Sequence, residues 1–198
     1  MLKRLFDFSA SLIGLIVISP ILIALAIAVK RDSPGPVFYR GERTGKDGKP
    51  FRMFKFRTMV VNADRLGGPS TAADDPRLTE MSGFLKKYQL DEIPQLINIL
   101  KGDMSLVGPR PEVKMYTDMF TEEEKAILSV RPGMTDYASI WDFHEGEILK
   151  GSADPEKDYM EKIRPEKLRL QLKYIKEKSF WTDIKIIFLT VKKVFVQE

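Results

Sequence analysis

The sequence predicts a mainly α-helical chain with one small β-hairpin, an α+β arrangement fastened to a membrane at its N-terminus. Three observations carry that prediction. Phe8 to Val29 is an uncharged apolar run. Phe51 to Met59 alternates apolar and polar residues behind a turn-rich loop. From Ser82 onward the apolar residues fall mostly at helical spacing.

At 198 residues the chain suits one domain with a real core. Without cysteine it has no disulfide, no thiolate nucleophile and no cysteine-based zinc site. The net charge of +4 suits anionic headgroups or phosphate-bearing substrates. No long basic stripe accompanies it, which argues against a nucleic-acid binder.

As an unbroken helix the apolar run would be roughly 33 Å long, enough to cross a hydrocarbon core of about 30 Å. Ser19-Pro20 falls near its middle, where proline removes a backbone hydrogen bond and clashes with the preceding turn. Lys3-Arg4 before the run and Lys30-Arg31 after it both carry the cytoplasmic mark. A helix–break–helix that enters and leaves by one face accounts for both facts, provided the groups freed at Pro20 find partners such as Ser19. The run is longer than a signal-peptide core and has no polar face of a core helix. Residues 1–31 are therefore expected to form a re-entrant membrane segment, with residues 32–198 as the globular unit.

Asp32-Ser33-Pro34-Gly35-Pro36 is a turn-rich exit, followed by a short strand around Val37–Arg40. Thr44–Pro50 is the hairpin loop, and Phe51–Met59 the second strand. Its cations Arg52, Lys55 and Arg57 are either solvated at an edge or turned to substrate. Asn62–Thr79, with Gly67-Gly68-Pro69 and Asp74-Asp75-Pro76, is expected to be a mobile loop of the length often used as a lid; the two aspartates read as a turn before proline.

Phe84, Leu85 and Tyr88 share a predicted helix face. Leu90 to Leu100 follows, with Pro94 in a first turn, Asp91 at or beside the N-cap and Gly102 as the stop. Gly108-Pro109-Arg110-Pro111 and Val130-Arg131-Pro132-Gly133 are rigid loops, each displaying one arginine. Thr121-Glu122-Glu123-Glu124 opens a short helix. In the tail, Trp181, Ile184, Phe188, Val191 and Phe195 recur at helical spacing beside Lys185, Lys192 and Lys193. That is either an interfacial helix or a core-facing one.

Adjacent carboxylates diverge by about 100° on a helix, so Asp91 and Glu92 are expected to play separate roles. An ionised carboxylate is a competent nucleophile toward phosphorus, and a second can hold a divalent ion. Arg110 and Arg131 can grip phosphate oxygens with two N–H groups each. The alternatives stay open: an N-cap aspartate is commonly structural, and arginines in proline loops often bond nearby carbonyls. His144 is a candidate general base or a surface histidine.

The ordered set Lys3-Arg4 with Asp7, Ser19-Pro20, Lys55-Phe56-Arg57-Thr58-Met59, Leu90-Asp91-Glu92-Ile93-Pro94-Gln95, Lys101-Gly102-Asp103-Met104-Ser105, Gly108-Pro109-Arg110-Pro111 and Arg131-Pro132-Gly133 resembles the bacterial sugar transferases known as small monotopic phosphoglycosyl transferases. The resemblance runs over nearly the whole chain. It implies a monotopic enzyme on the cytoplasmic face of the bacterial inner membrane. Its donor would be a UDP-sugar, its acceptor a polyprenyl phosphate such as undecaprenyl phosphate, and its cofactor Mg2+. It further implies Asp91 as the covalent nucleophile releasing UMP, Glu92 as a magnesium ligand, and Lys55 and Arg110 at the polar donor site. Arg57, Lys86 and Arg131 complete the expected substrate-binding set, with a second copy of the chain as a candidate partner.

Four departures stand out. Lys86 replaces a usual arginine, Gln171 stands where an aspartate is expected, Met134 to Trp141 replaces a small-residue continuation, and Asp154-Pro155-Glu156 through Glu166 is longer and more charged than the resemblance implies. Asp136, Asp142 and Glu145, in the divergent region after the catalytic core, are candidates for addressing sugar hydroxyls. The rival function is a catalytically silent membrane scaffold for glycosyltransferases.

Overall fold

The computed structural model describes residues 2–143 and 145–196, with backbone alone for 195 and 196. Helices dominate. Helix α1 (Leu2–Asp32) leads into an antiparallel hairpin of β1 (Phe38–Thr44) and β2 (Pro50–Phe56). Short helices α2 (Ser82–Lys87) and α3 (Gln95–Lys101) follow, then β3 (Ser105–Val107) and α4 (Lys114–Thr117). Strand β4 (Gly133–Thr135) pairs in parallel with β3. Helices α5 (Tyr137–Trp141), α6 (Glu145–Ile148), α7 (Pro155–Asp158), α8 (Arg164–Glu177) and α9 (Phe180–Val196) complete the chain. This is the α+β composition the sequence predicts.

The break expected at Ser19-Pro20 is not present, because α1 is helical through both residues. Pro20 has no N–H to give the Ile16 carbonyl, and Ser19 Oγ donates to that carbonyl instead at 2.8 Å. The helix is long and apolar enough to cross a membrane. One face nevertheless packs on the globular unit from end to end. Near its start Asp7 accepts from Ser105 Oγ at 2.8 Å and Leu106 N at 3.3 Å. Arg4 donates to the Ile99 and Leu100 carbonyls, capping the negative end of α3. Leu15 packs with Met53 and Leu96, and Leu25 and Val29 pack with Phe56 and Leu85. At the far end Asp32 accepts from Met81 N at 3.1 Å. The opposite face leaves Leu5, Leu12, Ile13, Ile16, Val17 and Ile23 exposed.

The hairpin is fixed to α3 by Asn98, whose Oδ1 accepts from Phe54 N at 2.8 Å and whose Nδ2 donates to the Arg52 carbonyl at 2.9 Å. Gly102, at φ 89°, ends α3 in the left-handed region. The two proline loops cross backbone on backbone. A Cβ on Gly133 would lie 2.1 Å from Gly108 N, so neither loop tolerates a side chain there.

Two periodicities read differently in three dimensions. Phe84 and Tyr88 are exposed and stack edge to face at 5.4 Å, while Leu85 alone points inward. On α9, Trp181, Phe188 and Val191 are exposed, whereas Asp183, Ile186 and Ile187 turn to the core. The stripe residues Trp181, Phe188 and Val191 therefore face outward, while the side chain of Phe195 lies outside the described residues. The expected loop at 62–79 is pinned from within by Arg77, which donates to Asp75 and to the Ala63, Gly68 and Ser70 carbonyls.

Candidate active site

A cavity of about 1720 Å3 opens between the hairpin, the Asn62–Thr79 segment, α5, α6, α8 and α9. It exceeds the roughly 300–1,000 Å3 usual for one small ligand, so it has room for two substrates. Its wall is apolar where α9 contributes Ile187, Val191 and Val194 beside Ile18 of α1. Elsewhere it carries Lys55, Lys86, Asp91, Glu92 and Arg110 together.

Asp91 and Glu92 lie in a single 3-10 turn, Leu90–Glu92, that precedes α3. Asp91 is thus not the N-cap of α3, a position held by Pro94. The turn is entered through Gln89, at φ 54°, in a left-handed conformation unusual for a side-chain-bearing residue. Gln89 Nε2 donates to the Phe143 carbonyl at 3.1 Å, tying this turn to the divergent segment.

Both carboxylates are buried, yet their partners differ. Lys55 Nζ lies 2.6 Å from Glu92 Oε1, and Arg110 Nη1 donates to Glu92 Oε2 at 2.9 Å while Nη2 donates to Oε1. Asp91 accepts no hydrogen bond among the described residues; its nearest cation is Lys55 Nζ at 3.9 Å. Burial pushes Asp91 up to about 6, with Lys55 pulling the other way. Burial alone would also raise Glu92, but the charges and hydrogen bonds of Arg110 and Lys55 hold it well below the usual carboxylate range. One carboxylate is neutralised and fixed, the other desolvated and unencumbered.

Lys86 lines the cavity with no hydrogen bond or ion pair among the described residues, and burial lowers its pKa. Arg110 is held from behind: its N–H donates to Asp136 Oδ2 at 3.3 Å and its carbonyl accepts from Gln171 Nε2 at 3.4 Å. Asp136 also takes Ser139 N and Oγ as the N-cap of α5, so it is committed to the loop and not to sugar hydroxyls. Asp142 and Glu145 do line the cavity, 3.4 Å and 2.9 Å from Lys167 Nζ.

Two expected substrate ligands spend their hydrogen bonds mainly on backbone carbonyls, although Arg57 borders the cavity. Arg57 is buried, and its guanidinium donates to Ser33 Oγ and to the carbonyls of Val29, Ser33, Pro34 and Pro36. All five N–H groups are engaged by the exit of α1, leaving none for phosphate. Arg131 is exposed, away from the cavity walls, and donates to the Gly102 carbonyl at 2.8 Å. His144 lies outside the described residues. Sequence reasoning did not single out Glu112, Tyr159 or Lys167, which line the cavity. Lys167 sits 22 positions from its Glu145 partner, so no local spacing marks the pair.

The family described as Bacterial sugar transferase matches residues 1–197. The chain belongs to the bacterial sugar transferase family. It is 40% identical over 203 residues to the UDP-glucose:undecaprenyl-phosphate glucose-1-phosphate transferase of Escherichia coli (strain K12), covering 100% of this chain and 41% of that protein. It is 35% identical over 196 residues to the UDP-N-acetylgalactosamine-undecaprenyl-phosphate N-acetylgalactosaminephosphotransferase of Aeromonas hydrophila, covering 98% and 43%. With the uncharacterized sugar transferase EpsL of Bacillus subtilis (strain 168) it shares 40% identity over 198 residues, covering 100% and 89%. The chain thus spans about two fifths of the first two bacterial sugar transferases and most of the third.

Proposed function

We propose that this bacterial sugar transferase moves a sugar 1-phosphate from a UDP-sugar to undecaprenyl phosphate, releasing UMP, through a covalent phosphosugar on Asp91. The observation that carries the reading is the contrast at the catalytic turn: Glu92 is paired twice, while Asp91 is buried, ionisable near neutrality and without a hydrogen bond among the described residues. A desolvated carboxylate without donors is a stronger nucleophile than a solvated one.

In the first step an Asp91 carboxylate oxygen attacks the β-phosphorus of the donor. The bond to the bridging oxygen breaks, and UMP leaves with that bond's electron pair. In the second step a phosphate oxygen of the lipid attacks the same phosphorus, displacing Asp91 and forming the lipid diphosphate sugar. Lys86, a cavity-lining cation with no hydrogen bond or ion pair among the described residues, meets the donor diphosphate. Arg110 and Lys55 hold Glu92 fixed and keep the anionic substrates near cationic groups.

Magnesium fits this site as an ion completed by substrate oxygens. Among the described residues there is no group of three acidic or histidine side chains to cage it, but ions of this kind need only one or two carboxylates plus phosphate. Glu92 Oε2 takes a single hydrogen bond and keeps a lone pair free. Glu92, with Asp91 beside it, would hold the ion, which supplies neutralisation of the diphosphate oxygens.

For topology we propose a monotopic anchor on the cytoplasmic face of the inner membrane. Both ends of α1 dock on one globular unit, at Asp7–Ser105 and at Asp32–Met81. A perpendicular crossing would separate those ends by a bilayer. The outward faces of α1 and α9 would enter lipid from the same side, with Trp181 at the interface. UMP release from a panel of UDP-sugars with undecaprenyl phosphate tests the function. The proposal expects turnover by the wild type and none by Asp91→Asn; a scaffold would show no UMP in either.

A further inference from the structure

The cavity extends beyond the catalytic turn into a polar wall that the two-step chemistry does not use. Glu112, Asp142, Glu145, Tyr159 and Lys167 form it. Lys167 is buried at its centre, 2.9 Å from Glu145 Oε2 and 3.4 Å from Asp142 Oδ2, with its Nζ 5.3 Å from the Tyr159 ring centroid. Tyr159 donates to Glu112 Oε1 at 3.4 Å. Two carboxylate oxygens of this wall, Asp142 Oδ2 and Glu112 Oε2, have no hydrogen-bond partner although both side chains are more than nine-tenths buried. Buried acceptors are seldom left unmade without a functional reason. Glu145 is the more open member, with 31% of its side chain exposed.

The wall adjoins the reaction centre. Arg110, paired with Glu92, lies in the field of both Asp142 and Glu145, and Lys86 in that of both Asp91 and Glu145. The Gln89–Phe143 hydrogen bond holds the two regions together in space. A sugar carried on the phosphate at Asp91 would therefore have this wall on one side and the apolar α1–α9 side on the other.

We infer that Glu112, Asp142, Glu145, Tyr159 and Lys167 form the subsite for the donor's sugar, which takes an uncharged pyranose by its hydroxyls and disfavours a uronic acid. This rests on the donor being a nucleotide sugar, as proposed above. Burial raises the pKa of Glu112 and Asp142, and a carboxyl accepts hydrogen bonds when ionised and both donates and accepts when protonated, so in either form they match sugar hydroxyls. A site built to bond hydroxyls discriminates strongly, since a poor match leaves buried acceptors unpaired. Asp142 and Glu145 already pair with Lys167, and Arg110 is committed to Glu92, so a sugar carboxylate would have to compete with them for a cation.

Binding isotherms on the full chain in lipid nanodiscs, carrying Asp91→Asn to block turnover, test this. The ligands are UDP, UDP-glucose, UDP-galactose, UDP-N-acetylgalactosamine and UDP-glucuronic acid. The best neutral donor should bind at least 10-fold more tightly than UDP-glucuronic acid. Adding Asp142→Asn, or separately Glu112→Gln, should weaken that donor about 10-fold and leave UDP within twofold, which also shows that the fold is intact. Equal affinity for neutral and uronic donors overturns the assignment. So does an equal loss for UDP and UDP-sugars, or no change in either variant. UMP release by the chain with Asp91 intact is scored separately, so a failed catalytic reading and a failed subsite are told apart.

Discussion

Lys55 Nζ stands 3.9 Å from the Asp91 carboxylate while bonding Glu92 at 2.6 Å. One ammonium thereby divides two adjacent carboxylates into unlike groups. Glu92 is held ionised by contact, whereas Asp91 feels the charge without a hydrogen bond and keeps a pKa of about 6 set first by burial.

Activity should therefore depend on Asp91 being deprotonated. UMP release is expected to fall below a pH of about 6 and to level off above it. Lys55→Met removes the charge that lowers the Asp91 pKa, so the acid limb should move to higher pH. A pH–rate profile with an unmoved limb would contradict the assignment.

The same burial makes Asp91 costly to the fold. A carboxylate whose folded pKa is raised contributes stability below its ordinary value of 3.8, and that contribution is lost as pH rises through about 6. Asp91→Asn should therefore melt a few degrees higher than the wild type at pH 8 and close to it at pH 4. Thermal unfolding at the two pH values measures the difference.

Arg57 and Arg131 separate structural from substrate roles. Arg57→Lys keeps charge but cannot make the five bonds that hold the α1 exit. It should lower stability by about 2–4 kcal/mol through buried unpaired carbonyls, with KM for the donor unchanged in the protein that remains folded. Arg131→Ala should change neither KM nor kcat by more than about twofold, as expected for an exposed residue outside the cavity.

Topology has a clean probe because the chain contains no cysteine. Single substitutions Leu2→Cys and Arg31→Cys sit at the two ends of α1. A membrane-impermeant maleimide should label both from the cytoplasmic side of inverted vesicles. Labelling of either end only from the periplasmic side would defeat the monotopic anchor.

Much of the fold is legible in the sequence because its signals are local. The hairpin follows from alternation, the α3 stop from Gly102, and the membrane-seeking helix from an uncharged run. Pro20 misled because a neighbouring hydroxyl, Ser19, replaces the lost backbone donor and the helix continues. Phe84 and Leu85 misled because a two-turn helix is too short for its face to be read from spacing. In the site, Asp91, Glu92, Lys55, Lys86 and Arg110 are brought together as their motifs suggested. Arg57 and Arg131 had the same motif support, but which carbonyls an arginine meets is decided by tertiary packing. Glu112, Tyr159 and Lys167 carry no local signal, since they come together only through contacts far apart in the chain.

The most direct test of the central claim is the intact mass of the chain after incubation with its preferred UDP-sugar and no lipid acceptor. The wild type should gain one phosphosugar, lose it when undecaprenyl phosphate is added, and release one UMP per adduct. Asp91→Asn should gain none. An adduct of equal yield on Asp91→Asn, or UMP release by that variant at the wild-type rate, would contradict Asp91 as the nucleophile.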